Sequence, residues 1–410
     1  MKNQNNFDAI IIGGGILGNA VAAYLTQKSK LKVLLLEQNR ICTGSTSFSA
    51  SLVTKLRHQT NLIPFIEETH HAVFRLEKNL GESLGERRVG CLHIASGSDS
   101  VKELKKLMLI ADNFGITTQT VDKGFIRERV PWLVSEKVKD ALFVPDEFFI
   151  DGTLLGMAFF KAARQNGLHY QTNCTVTRIL SGNNRIIGVE SDKVQYKASI
   201  IVDTAGIWSN LLLEEHDALL PYAPVRSLYF ITEVNAEKYP VNQPICILPD
   251  VNAYTRPETG ALLFGLRDRG SPWTHLAEIQ KDLSNQIFIN QNEQWDILMN
   301  ETAGLGSIMK DFEQLKIAHT IAAPCAYTHD GNPLLGSVNQ PEGLFVATGC
   351  NEAGIATSAG FGRVIAETVL GEKPFLSINS FNPVRMQESH PLSEEFMQQC
   401  SDRRSQKKSG

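Results

Sequence analysis

Long apolar runs, paired cysteines and an excess of positive charge are all missing from this 410-residue chain. Its 7 cysteines are dispersed with no CxxC pair, so neither a disulfide framework nor a zinc or other metal site is expected. Such thiols read as reduced, in a cytoplasmic protein. With 40 Lys and Arg against 44 Asp and Glu the formal charge is −4, which gives no electrostatic case for nucleic acid. The N-terminus, MKNQNNFDAIIIGGG, lacks a basic region followed by a cleavable apolar stretch, so no secretion signal is expected there. The most apolar window, Ala9 to Leu25, is broken by four glycines and Asn19, which excludes a transmembrane reading. No internal repeat or low-complexity block is evident.

What is present begins at Phe7. An isoleucine-rich run to Ile12 reads as a buried parallel strand, Gly13 to Gly18 as a turn, Asn19 to Gln27 as a helix and Lys32 to Leu36 as a second buried strand. Gly13, Gly15 and Gly18 have the GxGxxG spacing: the first for a tight turn, the second for close approach of backbone to a pyrophosphate, the third for helix–strand packing. Glu37 follows the second strand, 19 residues after Gly18, where a carboxylate can accept hydrogen bonds from ribose hydroxyls. NAD and FAD share such a site. The chain has no second GxGxxG in mid-sequence, and two further buried strands end in small residues, at Thr204-Ala205-Gly206 and Thr348-Gly349. Both points favour FAD, which is long enough to use several strand ends.

Farther along, Asp151 is placed to cap a helix reaching Gln165, and a hairpin turns at Ser181 to Asn184. The Pro-, Tyr- and β-branched-rich stretch Pro221 to Gly265 predicts an antiparallel sheet. The fold class is therefore α/β with α+β character: a Rossmann-like FAD-binding domain with an inserted antiparallel-sheet substrate domain. The expected boundaries are 1–85, 145–220 and 325–385 for the first, 86–144 and 221–324 for the second, and 386–410 for a C-terminal tail. Its last ten residues, SDRRSQKKSG, are polar and basic and are expected to fray.

The chain resembles the FAD-dependent amine oxidoreductases that include D-amino acid oxidase, glycine oxidase and sarcosine oxidase. The matching segments are IIGGGILGNAVAAYL, the strand ending at Glu37, IIVDTAGIWS, DGNPLLG and GLFVATGCNEAGIATSAGFGRVIAETVLGEKP. A narrower resemblance, in GSTSFSASL, PCAYTHDGNPLLG and GCNEAGIATSAGFGRVIAE, is to the flavin domain of dimethylglycine and sarcosine dehydrogenases, without their folate-binding module. The resemblance implies that Gly13, Gly15, Gly18 and Glu37 hold the ADP half of FAD. It places Ser45 and Thr46 at the pyrophosphate and ribityl region, Val176 near adenine, and Ala205 and Gly206 over the phosphates. Gly349, Asn351, Gly354 and Ile355 would run beneath the isoalloxazine. In the narrower pattern a histidine bonded covalently to FAD stands where this chain has Phe48, so the flavin is expected to be noncovalent.

The activity implied is oxidation of the C–N bond of a small secondary or tertiary amine, of N-methyl amino acid, glycine or D-amino acid type. Hydride passes to the flavin, and the imine is hydrolysed. The electron acceptor, whether oxygen, quinone or an electron-transfer protein, is left open. Tyr254 and Arg256 alternate along a strand and so share a face, with Tyr254 a candidate for packing on the amine. Arg226 or Arg267 is a candidate carboxylate partner. His329, beside the Asp330-Gly331 turn, is a candidate proton-handling group. The arginine that glycine-oxidase-like members carry before that turn is missing, and Lys55 and Arg57 stand out of register with the arginines of sarcosine oxidases. Two alternatives remain: a 2-hydroxy acid dehydrogenase on the same fold, or an FAD-binding subunit of a hetero-complex.

Overall fold

The computed structural model describes residues 5–386 and 390–407. Its first layer is a six-stranded sheet in the order Leu334–Ser337, Leu344–Thr348, Ile200–Asp203, Ala9–Ile12, Val33–Leu36, His169–Gln171. All neighbours are parallel except the edge pair Leu334–Ser337 and Leu344–Thr348. Ala9–Ile12 is buried at every residue, as a central strand covered on both faces must be. The chain leaves it through Gly13, at φ +99°, and enters the helix Ile16–Lys28.

That helix is buried from Ile16 to Thr26, almost all round. Its small residues admit the helix Gly354–Val369 at close range: a Cβ on Gly362 would lie 2.7 Å from the backbone of Ala20. On the next face, a Cβ on Gly360 would lie 2.5 Å from Cα of Phe65, in the helix Ile63–Leu80. The run SAGFG therefore joins three helices without bulk between them. Fully buried Phe65 and Phe361 meet edge to face at 5.0 Å, each contributing about 1.5–3 kcal/mol by burial.

Asp151 caps the helix Gly152–Gln165 by accepting from the amides of Thr153 and Leu154, as its sequence position suggested. The hairpin also forms, from Val176–Gly182 and Arg185–Ser191; Asn183 and Asn184, both at positive φ, make its two-residue turn.

The second layer is an eight-stranded sheet, in which Ala223–Thr232 and Ile317–Tyr327 pair antiparallel along their whole length. Ala261–Leu266 and Ala253–Glu258 continue it antiparallel, as Pro221–Gly265 predicted; Ile245–Leu248 then joins Cys91–Ala95 in parallel. Strand alternation divides the sheet's two faces. Leu228, Phe230 and Phe264 enter one core, while Tyr229, Tyr254 and Leu263 face Ala50, Leu52 and Phe149. That second face roofs the loop after Gly44.

The C-terminal segment differs from expectation. Instead of fraying, it forms a helix, Glu394–Ser405, capped by Ser393 and packed through Phe396, Met397 and Cys400 on Ala223, Val225 and Tyr327. Residues 387–389 and 408–410 of the expected tail lie outside the described residues. Among the described residues, no helix is long and apolar enough to cross a membrane.

Candidate active site

A cavity of about 520 Å³ runs between the two sheets, from Glu37 and Val176 at one end to Tyr254 and Arg267 at the other. Two helix N-termini, those of Ile16–Lys28 and Gly354–Val369, open onto it, and neither is capped by its own N-cap side chain. Both present backbone N–H groups and a positive dipole end to the same space. The Gly13 turn passes against Thr204, whose carbonyl oxygen would lie 2.6 Å from a Cβ on Gly13; a Cβ on Gly18 would lie 1.9 Å from the Gly13 oxygen. Glu37 accepts from the amides of Gly14 and Asn39, both at 2.7 Å, and burial raises its pKa despite these bonds. The loop after Gly44 lines the cavity as the turn Ser45–Phe48. Ser45 donates to the Pro324 carbonyl at 3.1 Å, while Thr46 Oγ1 accepts from the Ile16 amide at 3.1 Å.

At the other end the Tyr229 and Tyr254 rings form an aromatic wall. Both stand opposite Gly265, whose missing side chain makes the room: a Cβ there would lie 2.1 Å from the Tyr254 ring. The Arg267 guanidinium lies 5.1 Å from the Tyr254 ring centre. Glu352, at φ +64°, accepts ion pairs from Arg267 and from Arg404 Nε at 2.9 Å. Burial alone would raise its pKa; Arg267, Arg404 and Lys407 outweigh that and hold it well below the carboxylate range. Arg404 also reaches Asp268 at 2.6 Å, and Arg226 pairs with Asp268 at 3.1 Å and with Glu293.

Residues 8–368 match the family described as DAO, FAD dependent oxidoreductase. The chain belongs to this family. A curated relative, the mitochondrial pyruvate dehydrogenase phosphatase regulatory subunit of Mus musculus, is 28% identical over 360 residues, 87% of this chain and 40% of that protein. Mitochondrial sarcosine dehydrogenase of Homo sapiens is 25% identical over 395 residues, 94% of this chain and 42% of that protein. The chain thus spans less than half the length of these two relatives. The crystal structure of L-proline dehydrogenase from P. horikoshii superposes with a TM-score of 0.82 at 21% identity, covering 94% of this chain and 98% of that one. At that identity the likeness is one of fold.

FAD is the cofactor of this oxidoreductase family, and the cavity fits it. The fit rests on the tight Gly13–Gly18 turn, where a Cβ on Gly13 or Gly18 would strike backbone and one on Gly15 would meet only Thr46 Oγ1 at 3.4 Å, on the two helix N-termini, and on a cavity lined from Glu37 to Tyr254. Of the residues expected at the cofactor, Gly13, Gly15, Glu37, Ser45, Thr46, Val176, Ala205, Gly206, Asn351, Gly354 and Ile355 line the cavity. Gly18 and Gly349 do not; they are packing positions behind it, Gly18 against Gly13 and Gly349 against Thr328 and Leu334.

The substrate-side expectations divide. Tyr254 lines the cavity, but Arg256 turns to the loop backbone and donates to the Ala50 carbonyl at 2.8 Å. Arg226 and Arg267, expected as carboxylate partners, are already occupied by Asp268, Glu293 and Glu352, although Arg267 borders the cavity. His329 lies outside the lining and packs on Phe396 with ring centres 5.2 Å apart. Arg57, which the sequence placed out of register, has no ion-pair partner among the described residues. It is 2% exposed and lines the cavity; one Nη donates to the Thr54 carbonyl at 2.6 Å and Nε has no partner. Its nearest carboxylate influence, Glu147, is spent on the amides of Lys55 and Leu56. Burial lowers the Arg57 pKa to about 10, still protonated at neutral pH.

Proposed function

We propose that this oxidoreductase oxidises the C–N bond of a small secondary or tertiary amine that carries a carboxylate, of the N-methyl amino acid type. The observation that carries the reading is Arg57: a buried guanidinium without an ion-pair partner among the described residues, lining the same cavity as the tyrosines. A substrate carboxylate would satisfy its free N–H groups. Tyr254 and Tyr229 would flank the amine, and the described lining contains no histidine to compete for its proton. The name of the human relative, sarcosine dehydrogenase, supports the same substrate class.

FAD, when bound, supplies the two-electron acceptor for hydride leaving the carbon next to nitrogen. The chain supplies position. Gly13, Gly15 and the Ile16 helix would face the pyrophosphate, Glu37 the ribose hydroxyls, and Val176 the adenine. Ser45 and Thr46 would border the ribityl chain: Ser45, whose hydroxyl donates, keeps both lone pairs, and Thr46, whose oxygen accepts, keeps its O–H and one lone pair. The Gly354 and Ile355 amides would face the developing negative charge. Cys350 is the lining thiol beside that helix start, and burial pushes its pKa up to about 12, which keeps it in the thiol form. The flavin is noncovalent in this reading.

Turnover by the purified chain on three matched sets tests the proposal: N-methyl amino acids, the same amines without a carboxylate, and 2-hydroxy acids. The expected result is formaldehyde release from the first set, with kcat/KM about 100-fold above the second, the scale of a lost buried charge pair. Turnover of hydroxy acids alone would make the chain a 2-hydroxy acid dehydrogenase. A second reading, an FAD-binding subunit of a larger assembly, is favoured by the regulatory-subunit relative. It predicts no turnover of any set by the isolated chain.

A further inference from the structure

Charge around the deep end of the cavity does not balance. Arg226, Arg267 and Arg404 meet three carboxylates, Asp268, Glu293 and Glu352, in one continuous network. Lys407 is added to it from the last described turn of the chain. Its Nζ donates to the Asn351 carbonyl at 2.9 Å, stands 3.7 Å from Glu352, and lines the cavity with its side chain 17% exposed. Glu352 already serves two arginines, so Lys407 is a cation beyond the network's own neutrality. Arg57, unpaired, borders the same cavity and acts electrostatically on Lys407. Arg57, with no carboxylate partner among the described residues, and Lys407, which shares Glu352 with two arginines, thus face one space.

We propose that Lys407, delivered by the C-terminal helix, is a specificity-determining residue that closes on the substrate's carboxylate together with Arg57. The inference rests on the carboxylate-bearing substrate proposed above and adds to it a second cation from a part of the chain that reads as a tail. The groups facing Lys407 come from every element packed on it: Glu352 from the turn after Leu344–Thr348, Arg267 from the end of Ala261–Leu266, Arg57 from the loop after Leu52, and Cys325 from Ile317–Tyr327. Burial first, then Arg267, lower the Lys407 pKa to about 7, against a smaller opposing pull from Glu352. The free site therefore holds Lys407 close to half charged at neutral pH. A bound carboxylate favours the ammonium, so binding takes up a proton. Affinity for the anion is then full below a pH of about 7 and falls as pH rises above it, about tenfold per unit until the bound-state value is passed.

The test uses flavin-loaded protein and an isosteric pair, methoxyacetate and methoxyacetamide, with dissociation constants read from perturbation of the flavin spectrum across pH. Wild type is expected to bind the anion with the slope just given and the amide weakly, without a slope. Lys407→Met should weaken the anion about 30-fold below neutral pH and flatten its slope, leaving the amide unchanged. Lys407→Arg, charged throughout, should recover most of the affinity without recovering the slope. Wild-type affinity and slope in Lys407→Met would overturn the inference while leaving the carboxylate-bearing substrate in place. Loss of both probes in both variants would mark a structural role and overturn it as well. A wild type that does not prefer the anion would overturn the carboxylate reading itself, and this inference with it.

Discussion

Phe48 ends the short turn that lines the cavity and is one of the half-buried side chains packed against the core under the first sheet. Phenylalanine carries no nucleophilic nitrogen, so if Phe48 stands where the resemblance puts a flavin-bonding histidine, acid denaturation should release the flavin into the supernatant, measured as yellow colour separated from precipitated protein. Flavin retained in the precipitate would point to one of the lining thiols, Cys174, Cys325 or Cys350. At this scale the glycines were legible, because their spacing is itself the geometric demand: Gly13 and Gly18 touch backbone where a Cβ cannot fit. Arg57 was not. Its role depends on being unpaired, and that is decided 90 residues away, where the buried Glu147 carboxylate accepts the amides of Lys55 and Leu56 instead of the guanidinium. Burial raises the Glu147 pKa to about 7.

Among the elements, the C-terminal helix is the one the sequence concealed. Its buried positions, Phe396, Met397, Cys400, Ser401 and Arg404, follow helical spacing, but the stripe ends in a charge and carries little hydrophobicity. Arg404 is fully buried, which the carboxylates of Asp268 and Glu352, with the Ser271 hydroxyl and the Leu266 carbonyl, make tolerable. Arg404→Met should therefore cost about 3 kcal/mol in urea denaturation, since two buried carboxylates each lose one of their cationic partners while Arg226 and Arg267 remain. A loss under about 1 kcal/mol, the range of an exposed ion pair, would contradict the burial. The pH dependence has a definite sign. A carboxylate held below its ordinary value contributes stability above about pH 4.5, and that contribution is lost as pH falls through the folded-state value. Wild type should lose stability on acidification below that point, and Arg404→Met should lose less because part of the pairing is already gone. The βαβ unit and the Asn183–Asn184 hairpin, by contrast, were readable in advance, since burial pattern and turn chemistry fix them locally.

For the molecule as a whole, periodicity and turn signals foretold strands and helices but not the partners across the second sheet. The parallel junction of Ile245–Leu248 with Cys91–Ala95 joins segments more than 140 residues apart in sequence, and no local signal marks it. That junction helps set the tyrosine face opposite the cofactor loop, so the fold positions a site that its separate segments do not announce. The central claim, that this assembly couples FAD to oxidation of a carboxylate-bearing amine, is open to a direct measurement. Flavin absorbance is followed while the purified, flavin-loaded chain is mixed anaerobically with N-methylglycine and a short series of N-methyl amino acids. At least one of them should bleach the flavin completely, with one formaldehyde released per flavin reduced. A flavin that stays oxidised with every such amine, yet is bleached by a 2-hydroxy acid, would contradict that claim.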